Sequence, residues 1–324
     1  MSERMIVQGP LILPHGLVDR GEVVIESGRI AAVFRQPVHK HPTLRFRDHW
    51  VSPGLIDLHI HGGQGADVMD GTVSALAVIA RDLAVQGTTG FLATTLTASV
   101  DALQRAFAAV RAYQDLPEEQ AQGAAVLGVH MEGPFLNAAY QGAQNPDFLR
   151  NPSVAEMQAH AAQLAGQLKM MTIAPELPGA HAVVEWMAAH QVIASAGHSA
   201  ATVEQGRAGI DSGIRHATHL FNAMPPMHHR QPGLAAALLL DKRVDLELIC
   251  DGVHVHPDMV RLAAQMAGLS RVILITDAIR AAGLADGVYD LGGQPMRVSG
   301  GVARLAAGNL AGSTLRLTQA VVNF

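Results

Sequence analysis

The chain has 324 residues, of which 49% are hydrophobic and only 16% charged, with a formal net charge of −5. That length suits one large α/β barrel or two ordinary domains, and the low charge content implies a large buried fraction and room for a subunit interface. The negative balance argues against nucleic acid, which needs a basic face, and the single cysteine, Cys250, cannot form an internal disulfide. The first residues lack the basic stretch, apolar core and small-residue cleavage site of a signal peptide. The longest purely apolar run, 234–240, is far short of the roughly 20 residues that cross a bilayer. A soluble, cytoplasmic protein without nucleic-acid or membrane partners is the expectation.

Residues 1–51 read as a small β-domain. Two short apolar runs, 23–25 and 30–33, flank a turn containing Gly28, which is a hairpin signal. Ser52-Pro53-Gly54 punctuates the boundary, and residues 52–324 form the second expected domain. From Leu55 onward strand-like and helix-like segments alternate. Strands are expected to end near His61, Leu96, Met131, Pro175, His198, His219, Asp251 and Asp277. Helical patterns fall at 73–86, 100–113, 154–167, 180–190 and 257–267. Eight such repeats most simply close into a (β/α)8 TIM-like barrel. An open doubly wound sheet would want a G-x-G-x-x-G turn after its first strand, which Gly62-Gly63-Gln64-Gly65 does not supply. The Gly-rich stretch 286–312 carries hairpin-like patches, after which Ser313-Thr314 is expected to cap a last helix within which the chain ends.

Six residues at expected strand ends are candidate metal-site groups: His59, His61, Glu132, His198, His219 and Asp277. A barrel gathers its strand ends into one bowl, so residues two hundred positions apart can share a cation. His59 and His61, two apart on a strand, share a face. A lone His-x-His is commonly structural, and Glu132 alone could be a surface glutamate or a cap. Six such residues at successive strand ends point to a transition metal, zinc or iron, at one or two ions per chain. Asp277 closes an apolar run, where a lone carboxylate is costly, and beside an activated water it can take and return a proton. His130 shares the parity of Glu132 and is expected to point inward, whereas His216 is expected to face away. Arg230, on a Pro- and Gly-rich loop, is either solvated or an anion clamp. His254 suits substrate contact or a structural role.

The strings PGLIDLHIHGG, HMEGPFLN, GHSAAT, ATHLFNAMPPMHHRQPG, DGVHVHP and LITDA run in order from Pro53 to Ala278. Together they resemble the N-acetylglucosamine-6-phosphate deacetylase family of the amidohydrolase superfamily. The resemblance implies a (β/α)8 barrel with a small β-sandwich built from both chain ends. It also implies metal-dependent hydrolysis of an amino-sugar phosphate acetamide, and a homodimer. By motif, Glu132, His198 and His219 match the metal set and Asp277 the general base and acid. His254, Asn222 and Ala223 match substrate contacts, and Arg230 matches a phosphate clamp lent across a dimer interface. The His59-x-His61 form resembles members able to bind two metals. Gln144 stands where the family usually has a histidine that bonds the scissile carbonyl. Members also continue beyond this chain's last helix, so the C-terminal part of the sandwich is expected to be missing. The alternatives are an N-acetylgalactosamine-6-phosphate deacetylase, another amidohydrolase, and a catalytically weak barrel acting as a binding subunit.

Overall fold

The computed structural model describes residues 4–117 and 119–324. They fall into two compact units, Met1–Gly54 and Leu55–Phe324. In the first, β1 (Arg4–Leu13), β2 (Gly16–Glu26), β3 (Arg29–Phe34) and β4 (Leu44–Arg45) form one sheet in the order β3-β2-β1-β4. The hairpin expected from the sequence is there. Ile25 pairs with Ile30 and Glu26 with Arg29, around Ser27 and Gly28 at φ 49° and 73°. Two successive positive φ values are those of the tight turns whose twist matches a β-ribbon. Val7, Leu11, Val18 and Val24 are buried, and among them sits a fully buried carboxylate, Glu22.

The second unit is built on eight parallel strands. β5 (Leu55–Ile60) is followed by a small hairpin, β6 (Gly62–Gly63) and β7 (Ala66–Asp67). Then come β8 (Thr88–Thr95), β9 (Ala125–Glu132), β10 (Leu168–Ile173), β11 (Ile193–Ala196), β12 (Ile214–Ala217), β13 (Asp245–Ile249) and β14 (Val272–Ile275). Each neighbours the next in sequence order. The ring closes where Asp277 N–H donates to the His59 carbonyl at 2.9 Å and His61 N–H to that of Ala278 at 2.8 Å. Residues at the two ends of this chain of strands are thereby brought side by side, as the barrel expectation required.

The connecting helices are α1 (Val73–Val85), α2 (Val100–Gln114), α3 (Val154–Leu164), α4 (Ala180–Ala189), α5 (Val203–Ser212), α6 (Gly233–Leu240) and α7 (Pro257–Ala267). Thr72, Ser99, Ser153 and Thr202 cap α1, α2, α3 and α5 with their hydroxyls. Such a cap is worth about 1 kcal/mol. Apolar side chains at helical spacing, such as Leu103, Phe107 and Val110 on α2, are buried in the common core. α6 reads Gly-Leu-Ala-Ala-Ala-Leu-Leu-Leu and is buried nearly all round, so it has no polar face to interrupt the run.

Beyond β14 the Gly-rich stretch folds as a meander: β15 (Gly287–Leu291), β16 (Gln294–Ser299) and β17 (Val302–Leu305). Its buried side, with Leu291, Met296 and Val298, packs on Leu96 and Ile279 at the strand-end face of the barrel. The last helix, α8 (Leu317–Asn323), corrects one expectation: Ser313 and Thr314 do not cap it. The Ser313 hydroxyl donates to the Thr276 carbonyl and that of Thr314 to the Gly301 carbonyl, so both are spent on loops.

Candidate metal centre

Glu132 ends β9, and His59 and His61 lie in and just after β5. The other three candidates follow a shared local rule. His198, His219 and Asp277 each sit two residues beyond the last residue of a strand, at φ 49°, 29° and 50°. Left-handed backbone is unfavourable for non-glycine residues and clusters at functional sites. It turns each side chain off the strand and into the bowl. Gly197 makes room for this turn, because a Cβ there would lie 2.8 Å from that of Thr218.

That turn also corrects the reading of His216. Parity counted back from His219 fails because β12 ends at Ala217. His216 faces into the barrel, 2% exposed, with Nε2 3.0 Å from Glu247. His130 is buried with its ring centroid 4.7 Å from that of His59.

The six candidates converge. Nε2 of His198 and Nε2 of His219 are each 3.0 Å from Oε1 of Glu132 and 3.1 Å from each other. Nε2 of His61 is 3.2 Å from both Glu132 Oε2 and Asp277 Oδ1. Nε2 of His59 is 3.5 Å from Glu132 Oε1 and from Asp277 Oδ1. The six make two ligand-like groups, His59–His61–Asp277 and Glu132–His198–His219, with the Glu132 carboxylate reaching both, and a third group, His59–His130–Glu247, adjoins them through His59.

The opposite edges of the rings decide what such a nest can hold. His61 Nδ1 faces the Thr94 carbonyl at 3.1 Å, and His198 Nδ1 faces the Tyr140 carbonyl at 2.9 Å. Carbonyls only accept, so each Nδ1 carries a hydrogen, and in the neutral ring the Nε2 presents a lone pair. Those lone pairs face carboxylate oxygens and, for His198, another imidazole nitrogen. Nε2 of His59 is buried without any hydrogen-bond partner. Acceptors set against acceptors in a dry site repel unless a cation lies between them. Four imidazole nitrogens and two carboxylates fit a transition metal better than calcium or magnesium, which prefer oxygen donors.

Charge points the same way. Burial alone would push the His61 imidazole down, but hydrogen bonds to Asp277 and Glu132 raise it to about 10. Burial pushes the Asp277 and Glu132 carboxyls up, and the facing histidines more than reverse this, holding both below the usual range. Asp57, beneath the nest, is pushed by burial up to about 6, with partial relief from the Thr276 hydroxyl.

A cavity of about 240 Å³ opens over these donors. His61, Glu132, His198, His219 and Asp277 line it, together with Gln144, Asn222, Ala223 and His254; Arg230 is exposed on its loop and lies outside this lining. His254 is held by Asp251, whose carboxylate accepts its Nδ1–H at 2.6 Å. Gln144 is 4% exposed, and its Oε1 accepts the Thr97 backbone N–H at 2.7 Å. That bond fixes the amide orientation, so Nε2 is the end beside Glu132 Oε2, at 2.5 Å, with its second hydrogen free.

These features have close counterparts. The profile of the amidohydrolase family matches residues 50–300. The chain belongs to the amidohydrolase family. It is 37% identical to the N-acetylglucosamine-6-phosphate deacetylase of Bacillus subtilis, over 98% of this chain and 82% of that one. It is 39% identical to the N-acetylgalactosamine-6-phosphate deacetylase of Escherichia coli O157:H7, over 97% and 81%. A mutant N-acetyl-D-glucosamine-6-phosphate deacetylase from Mycobacterium smegmatis, solved with N-acetyl-D-glucosamine-6-phosphate, superimposes with a TM-score of 0.92. Its identity is 35%, and the match covers 99% of this chain and 83% of that one. Among amidohydrolases, the chain is thus placed in the N-acetylglucosamine-6-phosphate deacetylase branch.

Several residues that build this amidohydrolase site escaped the sequence reading. Glu176 accepts from the Ser199 hydroxyl and the Ala200 backbone at 2.6 Å each, steadying the turn that presents His198. Gln294 and Asn309, in the meander, donate to the carbonyls of Ala143 and Gly142 and so pin the loop of Gln144. Leu291, Asn309 and Leu310 add to the cavity wall. A polar side chain in a Gly-rich hairpin gives no signal of what it meets; Glu176, directly after Pro175 at an expected strand end, did.

Proposed function

We propose that this amidohydrolase removes the acetyl group of N-acetylglucosamine 6-phosphate, giving acetate and glucosamine 6-phosphate. The observation that carries the reading is the nest of facing imidazole nitrogens and carboxylate oxygens beneath a small cavity, in a chain matched nearly end to end by deacetylases of this class. A divalent cation held by Glu132, His198 and His219, with His59, His61 and Asp277 able to hold a second, would supply Lewis acidity toward the amide carbonyl and acidify the attacking water.

The chain's own groups do the rest. Asp277, kept ionised by His59 and His61, takes a proton from water as its oxygen adds to the amide carbon. It returns that proton to the nitrogen as the C–N bond breaks. The free N–H of Gln144 donates to the carbonyl oxygen as negative charge gathers there. His254, held by Asp251, and the Asn222-Ala223 segment contact the sugar. Arg230 clamps the phosphate; its place outside the cavity lining suits a residue lent to the neighbouring site of a homodimer. Zinc or iron as the metal and a cytoplasmic location belong to the same proposal; none of the described helices is long and apolar enough to cross a membrane.

The N-acetylgalactosamine 6-phosphate substrate is a second reading, favoured by the 39% identity to the enzyme named for it. Steady-state kinetics on both epimers separates the two. A higher kcat/KM for the gluco epimer is the expected result, and a clear preference for the galacto epimer would replace it.

A further inference from the structure

Glu247 lies on β13, wholly buried, and is absent from the cavity wall. A carboxylate there is costly unless its oxygens are paired. Oε2 accepts the Nδ1–H of His59 at 3.1 Å and the backbone N–H of His219 at 3.0 Å, and Oε1 is 3.0 Å from Nε2 of His216. His59 groups with His61 and Asp277 and His219 with Glu132 and His198, while Glu247 itself groups with His59 and His130 behind them. A single carboxylate oxygen therefore touches both His59 and His219.

We infer that Glu247 is the positioning residue of the centre, fixing the His59 imidazole with Nε2 toward the cation and tying that ring to the backbone that carries His219. The inference rests on reading the nest as a cation site. Its independent support is the His59 ring itself. One nitrogen is held by a carboxylate that accepts its hydrogen, and the other is buried with no hydrogen-bond partner, 3.5 Å from oxygens of Glu132 and Asp277. Such a ring is locked in the tautomer a metal ligand needs, and a carboxylate on its far side strengthens it as a donor. Glu247 does not line the cavity, so it acts through His59 and His219.

The test is the zinc affinity of metal-depleted protein, measured by competition with a chromophoric chelator for the unaltered chain, Glu247→Gln, Glu247→Leu and His59→Ala. Glu247→Gln keeps the size and an oxygen for His59 and His219 but loses the charge; Glu247→Leu loses both. Zinc binding is expected to weaken about 10-fold in the first and about 100-fold in the second. Thermal melting of metal-depleted Glu247→Gln is expected to match the unaltered chain, which separates positioning from folding even where the leucine variant fails to fold. Unchanged zinc affinity in Glu247→Gln beside a weakened His59→Ala overturns the inference while leaving the cation site intact. An unaltered chain that binds no zinc overturns the cation reading, and this inference with it.

Discussion

His198 and His219 turn their Nε2 atoms toward each other at 3.1 Å, in a space both share with one oxygen of Glu132. With His198 Nδ1 occupied by the Tyr140 carbonyl, its neutral ring has only a lone pair to offer there. In metal-depleted protein, protons must screen these acceptors; a metal ion replaces them. His61, raised to about 10, is protonated at pH 8 without metal and neutral as a ligand. Filling the His59–His61–Asp277 group with zinc at pH 8 should therefore release protons, and the His61 contribution should fade as pH rises through about 10. Calorimetry in buffers of different ionisation enthalpy measures it, and a heat independent of buffer would count against the account.

Asp277→Asn should retain substrate binding and the cation held by Glu132, His198 and His219, while turnover falls by at least ~10²-fold, the usual contribution of an acid–base group. Near-normal turnover would move the proton shuttle to another residue.

Gln144 offers a neutral donor whose direction the Thr97 N–H enforces. Gln144→Leu should lower kcat by roughly 10²- to 10³-fold with a much smaller change in KM, as expected for a donor to a developing oxyanion. A change in KM alone would assign Gln144 to substrate binding.

Arg230→Ala should weaken binding of the phosphorylated substrate by about 10- to 150-fold, the roughly 1.5–3 kcal/mol of a charge-assisted hydrogen bond. Unphosphorylated N-acetylglucosamine should be little affected. Equal losses on both substrates would remove the phosphate assignment.

The first unit carries its own acid-sensitive group. Burial pushes the Glu22 carboxyl up, but bonds from the His39 ring and backbone, from Gln8 and from the Val38 backbone outweigh it and hold it at about 2. A depressed carboxyl contributes its full stability above its ordinary value of 4.5, and that contribution drains as pH falls from there toward about 2. Protection of the β1 and β2 amides, taken as the ratio of intrinsic to observed hydrogen-exchange rate at each pH, should fall across that window, and Glu22→Gln should flatten the dependence. An equal pH response in both proteins would show that Glu22 is not the sensor.

The barrel was legible because alternating apolar runs and helical periods repeat eight times, and the six candidates because each lies at or just after a strand. Parity reasoning served His59, His61 and His130, which lie in or next to regular strand. It failed for His216 because the chain leaves β-geometry before His219, and nothing in Ala-Thr-His announces a left-handed residue. Glu247 looked like one charge in the strand Asp-Leu-Glu-Leu-Ile; its partners are 188, 31 and 28 positions away. Only the closed ring brings them together. The meander was readable as hairpins from its Gly-Gly pairs, but its packing over the loop of Gln144 depends on tertiary contacts.

Acetate release from N-acetylglucosamine 6-phosphate tests the central claim most directly, measured on metal-replete protein, after rigorous chelation, and after zinc or ferrous iron is restored. The account predicts stoichiometric acetate and glucosamine 6-phosphate, loss of activity on chelation and recovery with the metal. Undiminished activity in metal-free protein, or no acetate from the metal-replete enzyme, would contradict it.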